Sequence, residues 1–413
     1  MTPELDPSHQ AARFRIVDLF AGPGGLDIAA TIMGVESIGV EWDDATRATR
    51  DAAGLLTTKE KDVAALGPCD AQVEDANVLT GGPPCQSFSV AGNRKGHKAL
   101  EDVKRLATCL VAAQDAASFA TVWAAVQADP ALAEDERTGL VLQPLRWIME
   151  AKLSRRRKAY EVVVLEQVPT VLPVWKHYAE LLRKIGYAAE AHVLHAEAFG
   201  VPQTRRRAVL IAQYAPGNET RDVGFPTPTH QRYRKGVERL SAGGTGGLRS
   251  DGSLFAAPPL AGKIEPWVSM QDALGASRPQ DFVMISNYGS GGDPKNRGRR
   301  TSLEPAATIT GKCRRNRLFL LKEGESGAKE VGEELDRLSF EEAGLLQSFP
   351  ERYPWQSTDV AQQIGNAIPP RLSLHILCSA LRLGRPGEDM FDKLAAWEPE
   401  PRTAPSDQGA TDV

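Results

Sequence analysis

The sequence predicts an α/β protein: a large, doubly wound and mostly parallel sheet, with a smaller irregular domain set into it late in the chain. Two observations carry this expectation. Over residues 14–214, apolar runs of strand length alternate with helical patterns, the order from which parallel sheets are built. From about Gly217 to Arg300, Gly and Pro become frequent and apolar periodicity fades, before ordered patterning returns up to about residue 384. The expected organisation is a flexible N-terminus (1–13), then a first domain (14–214) with a helical insertion near 93–134, then a second domain (215–300). A further segment (301–384) finishes the second domain and returns to complete the first, and a Pro-, Asp- and Glu-rich tail (385–413) is expected to be disordered.

Composition narrows the class. Hydrophobic residues at 42% and charged residues at 25% are ordinary for a soluble globular protein. No apolar run approaches the roughly 18 residues of a membrane helix, and no signal-peptide core is present, so a soluble cytoplasmic protein is expected. Cys69, Cys85, Cys109, Cys313 and Cys378 are scattered, with no C-x-x-C pair and no His at ligand spacing, which argues against a disulfide framework and against zinc. The net charge of -4 hides a segregation: residues 201–320 carry 19 Lys and Arg against 9 Asp and Glu. A basic segment in an acidic remainder is either a nucleic-acid footprint or a solvated face.

In chain order, Phe14 to Phe20 reads as a strand, Ala21-Gly22-Pro23-Gly24-Gly25 as a tight turn, and Leu26 to Met33 as the start of a helix. Such a corner lets backbone approach a ligand closely and aims a helix N-terminus at negative charge. Ser37 to Val40 is a second strand ending on Glu41-Trp42, where a carboxylate can accept ribose hydroxyls and an indole can offer a face to adenine. Lys61-Asp62-Val63 closes a third strand, with Asp62 available to the adenine amino group. An adenosine-bearing cofactor is the consequence. A fourth strand, Ala76 to Thr80, runs into Gly81-Gly82-Pro83-Pro84-Cys85-Gln86-Ser87-Phe88-Ser89. The prolines fix their own φ and push the preceding residue toward extended geometry, so Cys85 is held in one direction, as a nucleophile needs. A structural cysteine fits the same turn.

Glu101 to Ala128 lacks Gly and Pro and favours helix, with Phe119, Val122, Trp123 and Val126 on one apolar face. The run Tyr160 to Leu165 reads as a central strand ending on Glu166, a carboxyl that is costly to bury without a partner. Gln203, Arg205 and Arg207 alternate and so share one strand face, delivering two guanidiniums to an anionic or carbonyl oxygen; a solvated basic run is the plain alternative. Helices are expected at Ser339 to Phe349 and Arg371 to Leu383.

Five stretches, in order, resemble the motifs of the cytosine-5 DNA methyltransferases: Phe20-Ala21-Gly22-Pro23-Gly24-Gly25, Pro84-Cys85-Gln86, Glu166-Gln167-Val168, Gln203-Thr204-Arg205-Arg206-Arg207, and Gln363-Ile364-Gly365-Asn366-Ala367-Ile368-Pro369-Pro370. The resemblance covers roughly residues 14–212 and 300–384. It implies a Rossmann-like methyltransferase fold, a target-recognition region near 215–300, and S-adenosyl-L-methionine as cofactor. The implied cofactor residues are Phe20, Ala21, Gly22, Gly24, Gly25, Glu41, Trp42, Asp62, Val63, Gly82, Pro84 and Asn366. The implied catalytic residues are Cys85 as nucleophile, Glu166 as acid, and Gln203, Arg205 and Arg207 at the base oxygen. No metal is implied.

The implied partner is duplex DNA, with the target base flipped out, and a monomer is expected. DNA contacts are expected from Gln86 and Ser89, from Arg94, Lys95 and Lys98 just behind them, and from Arg297, Arg299 and Arg300. A cognate restriction endonuclease acting separately is a candidate second partner. Gln167 stands where the family has an Asn that braces the nucleophile loop. Two rival readings are an RNA cytosine-5 methyltransferase of the transfer-RNA type, against which stands the basic Gly-rich stretch between Arg207 and Pro305, and a non-catalytic DNA-binding subunit, against which stand Cys85, Glu166 and Arg205.

Overall fold

The computed structural model describes residues 10–84, 94–134, 136–241, 263–286, 298–323 and 329–399. The first half runs β1 (Arg15–Leu19), α1 (Gly25–Ile32), β2 (Glu36–Val40), α2 (Asp44–Ala52), β3 (Leu56–Thr57) and β4 (Val78–Gly81). Four helices follow, α3 (Arg94–Val111), α4 (Ala116–Gln127), α5 (Pro130–Glu134) and α6 (Glu136–Leu153), and then β5 (Val162–Gln167), α7 (Leu172–Lys184), β6 (Tyr187–His195), β7 (Gln203–Thr204) and β8 (Arg206–Tyr214). Seven strands form one sheet in the order β3-β2-β1-β4-β5-β8-β6. Pairing is parallel from β3 through β5, and β8 is antiparallel to both its neighbours. That reversal matters: the start of β8 lies at the same edge as the ends of β1, β2, β4 and β5.

Strand alternation divides the core. Val17, Leu19, Leu79, Val163 and Leu165 face α3, α6 and α7 on one side of the sheet, whereas Ile16, Val78, Val162 and Val164 face the other. Burial on both faces is why these strands read as continuous β-branched runs. The inserted stretch is helical but broken at residues 112–115, where the Asp115 side chain accepts from the Ser118 amide in a capping box and starts α4. Phe119 and Val126 of α4 are buried, and Val122 and Trp123 pack against the same core.

The smaller domain holds α8 (Met270–Leu274) and a four-stranded antiparallel sheet, β10-β9-β12-β13, built from β9 (Phe282–Ile285), β10 (Arg299–Thr301), β12 (Arg317–Glu323) and β13 (Lys329–Leu335). Its core joins Met270, Phe282, Met284 and Leu318 to Leu346 and Ile364, from α9 (Phe340–Leu346) and α10 (Val360–Asn366). Tyr233 and Trp267 pack edge-on, with ring centroids 5.3 Å apart. The parallel pairing of β7 with β11 (Ala306–Ala307) ties the two domains together. The chain then returns through α11 (Pro370–Ala380), packed on α1.

Three expectations are corrected. The third strand is Leu56–Thr57, and Asp62 and Val63 follow it in a turn, because Asp62 Oδ1 accepts the Ala64 amide at 2.8 Å and curls the chain. Residues 385–399, expected to be disordered from their charge, contain α12 (Glu388–Ala395), held by buried Leu394 and by Met390, Phe391 and Trp397 against the core. At the other end, Ala11 and Phe14 are buried, so the N-terminal segment is anchored from Ala11 onward among the described residues.

Candidate active site

The glycine corner forms at the edge where β1 ends. Phe20 and Gly22 have φ of 59° and 56°, and Gly24 has φ of 103°. A side chain at Gly24 would fall 2.2 Å from Leu55 Cδ1, and one at Gly25 2.1 Å from the Ile368 carbonyl oxygen, so close approach requires both glycines. The Ala21 amide donates to Val40 O at 3.2 Å, fastening the turn to β2. Glu41 Oε2 accepts the Gly22 amide at 2.8 Å and Oε1 accepts the Asp43 amide at 2.9 Å. Burial pushes the Glu41 carboxyl up, and these two donors and Arg50 pull it back.

Each carboxylate oxygen of Glu41 keeps a lone pair for a ligand hydroxyl. Trp42, next along, is 68% exposed and presents its indole face. Asp62 is half-buried; Val63 is buried, with its carbonyl taken by Arg146 Nη2 at 2.7 Å and Trp147 Nε1 at 3.2 Å. Asn366 is exposed at the end of α10, its Oδ1 accepting from Gln362 Nε2 at 2.8 Å. Beyond a side chain at Gly22 nothing stands within 4 Å, so the turn is open there. An open glycine turn, a carboxylate with spare acceptors and an exposed indole fit an adenosine-bearing ligand.

Sequence reasoning missed what supports this corner from below. Arg50 is fully buried; its Nη1 meets Asp27 Oδ2 at 2.7 Å and donates to Gly22 O at 3.2 Å. Burial opposes the Arg50 charge, but the attraction and hydrogen bond of Asp27 outweigh it and push its pKa up. Gly39 is required beside it, since a side chain there would fall 2.1 Å from Arg50 Nη2. Burial and then the Asp27 charge push the Asp18 carboxyl well above its usual range, while Thr80 Oγ1 donates to it at 2.6 Å. Tyr353 closes the far side by donating to Pro23 O.

The second half of the site surrounds the turn after β4. A side chain at Gly82 would stand 3.5 Å from Glu166 Oε2, so the acid lies against the turn that leads to Cys85. Gln167 Nε2 donates to Pro83 O at 2.6 Å, and its Oε1 accepts the Val168 amide at 2.5 Å. The longer side chain thus braces this turn directly. Gln167→Asn, one methylene shorter, should withdraw the amide and slow single-turnover methylation about three- to tenfold, the worth of one hydrogen bond. A rate unchanged on that substitution would show that the turn does not depend on the brace.

Register pairs Glu166 with Val209 and Gln167 with Ala208, which sets Arg207 just beyond them. Arg207 Nε meets Glu166 Oε1 at 2.5 Å, and both side chains are 11% exposed. Burial pulls the Arg207 pKa down, and Glu166 raises it. Gln203 and Arg205 do not join them as expected. Arg205 is fully buried, with Nη1 donating to Ile309 O at 3.0 Å and Nη2 to Gly365 O at 2.9 Å and Ala367 O at 2.8 Å. Gln203, also fully buried, donates through Nε2 to Leu346 O at 2.7 Å and to Gln347 Oε1, and its Oε1 accepts the Ile309 amide at 3.1 Å. Alternation did put all three on one buried side, but β7 stops at Thr204 and the returning C-terminal segment covers Gln203 and Arg205.

On the side expected to meet DNA, Cys85, Gln86, Ser89 and Arg297 lie outside the described residues, as do the side chains of Arg94 and Lys95, which open α3. Lys98 and Arg299 are exposed. Arg300 stacks over the Tyr233 ring at 4.4 Å and donates to its hydroxyl at 3.0 Å, so it is committed to packing. Among the described residues no group of His, Cys, Asp and Glu could hold a metal, and no helix is long and apolar enough to cross a membrane.

A parallel sheet carrying one reversed strand, with its ligand corner at the carboxyl edge, is the architecture of the Rossmann-like methyltransferases. The Dnmt2 methyltransferase of S. pombe superposes with a TM-score of 0.50 over 89% of this chain and 98% of its own, at 14% identity. A DNMT2 variant from Spodoptera frugiperda gives 0.51 over 89% and 99%, at 13% identity. A family model of the C-5 cytosine-specific DNA methylases matches residues 14–106 and 133–381, and the chain belongs to that family. It is a DNA (cytosine-5) methyltransferase. The unmatched interval contains α4. Similar proteins include the Type II methyltransferase M.AplI of Arthrospira platensis, 24% identical over 87% of this chain and 83% of its own, and M1.HphI of Haemophilus parahaemolyticus, 24% identical over 89% and 86%.

Proposed function

We propose that the protein methylates carbon 5 of cytosine within a specific duplex DNA site, using S-adenosyl-L-methionine and covalent addition of Cys85 to a flipped-out base. The observation that carries this reading is the Glu166–Arg207 pair set against the Gly82–Pro84 turn, with Gln167 holding Pro83 two residues before the nucleophile. Carbon 5 of cytosine is a poor nucleophile. The Cys85 thiolate forms a bond to carbon 6, the ring double-bond electrons shift toward nitrogen 3, and Glu166 places a proton there, so carbon 5 becomes enamine-like. Arg207 holds Glu166 in place and faces the base oxygen with positive charge.

Phe20, Ala21, Gly22, Gly24, Gly25, Glu41, Trp42, Asp62, Val63, Gly82, Pro84 and Asn366 would hold the cofactor, which when bound supplies the electrophilic methyl group. The carbon 5 proton is then lost to a base, its electron pair re-forms the carbon 5–carbon 6 double bond and expels Cys85 as thiolate, and nitrogen 3 returns its proton to Glu166. A base inside a duplex is out of reach, so it must be extruded at a cost of a few kcal/mol. The basic segment, with Arg299, Arg297, Lys98, Arg94 and Lys95, would grip phosphates, and Gln86 and Ser89 would follow the base. The Type II relatives fit a separately acting endonuclease of the same site, and the protein would act as a cytoplasmic, nucleoid-associated monomer. Transfer of tritiated methyl groups to duplex DNA and to transfer RNA tests the reading: label should enter DNA. Label in transfer RNA, or in neither, would overturn it.

A further inference from the structure

Arg205 makes its bonds to the ends of two other segments, and what those segments do gives it a role. Its Nη2 donors reach Gly365 O and Ala367 O, on either side of Asn366, at the point where α10 ends and its last carbonyls lack helical partners. A guanidinium there satisfies those carbonyls and complements the negative end of the helix. Its Nη1 reaches Ile309 O, just after β11, in the stretch that leads on to β12 of the smaller domain. Gln347 reinforces the same end, donating through Nε2 to Ile364 O and Ala367 O, both at 2.8 Å. The segment so gripped presses on the glycine corner, since the Ile368 carbonyl occupies the space a Gly25 side chain would need. Two residues along the chain from Arg205, Arg207 holds Glu166.

We infer that Arg205 is a positioning residue that ties the cofactor-facing segment Gly365–Ile368 to the strand presenting Arg207 and Glu166, and that its effect is felt first in cofactor affinity. The inference rests on the cofactor reading above. A lysine carries one point charge on a flexible stem and cannot reproduce a planar fork bonded to carbonyls in two segments. An arginine aimed at the base oxygen would behave differently, slowing chemistry and leaving cofactor affinity alone.

Isothermal titration with S-adenosylhomocysteine, on wild type, Arg205→Lys, Gln347→Met and Glu166→Gln, separates these cases, with thermal melts confirming folding. Arg205→Lys and Gln347→Met should each weaken binding by about tenfold or more, as expected for loss of charged or paired hydrogen bonds, and Glu166→Gln should not. A folded Arg205→Lys protein with a lowered melting temperature and unchanged affinity would overturn the inference. Should Arg205→Lys fail to fold, an unchanged affinity in Gln347→Met overturns it equally. Failure of the wild type to bind S-adenosylhomocysteine would instead strike at the cofactor reading.

Discussion

Glu166→Gln should lower the single-turnover rate of DNA methylation by about 10²- to 10⁴-fold, the usual worth of a positioned acid, and leave S-adenosylhomocysteine affinity within about twofold of wild type. The substitution keeps size and shape, so the side chain still fits beside the Gly82 turn, but the amide has no carboxyl proton to give to ring nitrogen 3 and loses its charge partnership with Arg207. Trp42→Ala should do the reverse. Its indole is 68% exposed beside the glycine corner and far less enclosed than Glu166; under the proposed cofactor reading its removal should weaken S-adenosylhomocysteine binding by about five- to tenfold, within the range for a stacked aromatic, before it touches chemistry. Titration with S-adenosylhomocysteine and rapid-quench kinetics on both variants check this. Equal effects of each variant on both quantities would contradict the division of the site into two halves.

The second large effect is on stability. Asp27→Ala leaves Arg50 buried with its charge uncompensated, and breaking such a pair typically costs about 3–5 kcal/mol. Ser37 also loses the acceptor for its hydroxyl, which donates to Asp27 Oδ1 at 2.7 Å. Replacing both partners by apolar residues, as in Asp27→Leu with Arg50→Met, should be milder than Asp27→Ala, because no buried charge remains. Urea denaturation midpoints at a fixed slope measure both. A loss below about 1 kcal/mol for Asp27→Ala would mean that water reaches Arg50 and that the corner is not supported as described.

Much of this site can be read from the chain, and particular residues show where reading stops. The strands leading to the glycine corner and to Glu166 are legible because burial on both faces produces short apolar runs, whereas the strand leading to Glu41-Trp42, buried only at Gly39 and Val40, is legible mainly from its place after the glycine turn. Alternation correctly groups Gln203, Arg205 and Arg207, yet it cannot say what covers a face. The carbonyls that claim Arg205 come from residues more than 100 positions away, and backbone acceptors leave no mark in composition. Arg50 and Asp27 are hidden for a similar reason: each sits on its own helix with no spacing that joins them. The acidic start of α12 resembles disorder because its apolar contacts, Met390, Phe391, Leu394 and Trp397, are few and dispersed. Gln167 is the reverse case, a departure from the family pattern whose consequence became clear once Pro83 O was found within its reach.

The central claim is that Cys85 attacks carbon 6 of the target cytosine. Duplex DNA carrying 5-fluorocytosine in the target site tests it, since fluorine cannot leave carbon 5 as a proton does and the thioether bond cannot be undone. With S-adenosyl-L-methionine present, wild type should form a complex that survives denaturing gel electrophoresis, with the peptide containing Cys85 cross-linked, and Cys85→Ala should form none. An adduct formed by Cys85→Ala, or methylation of ordinary cytosine by that variant, would contradict the account.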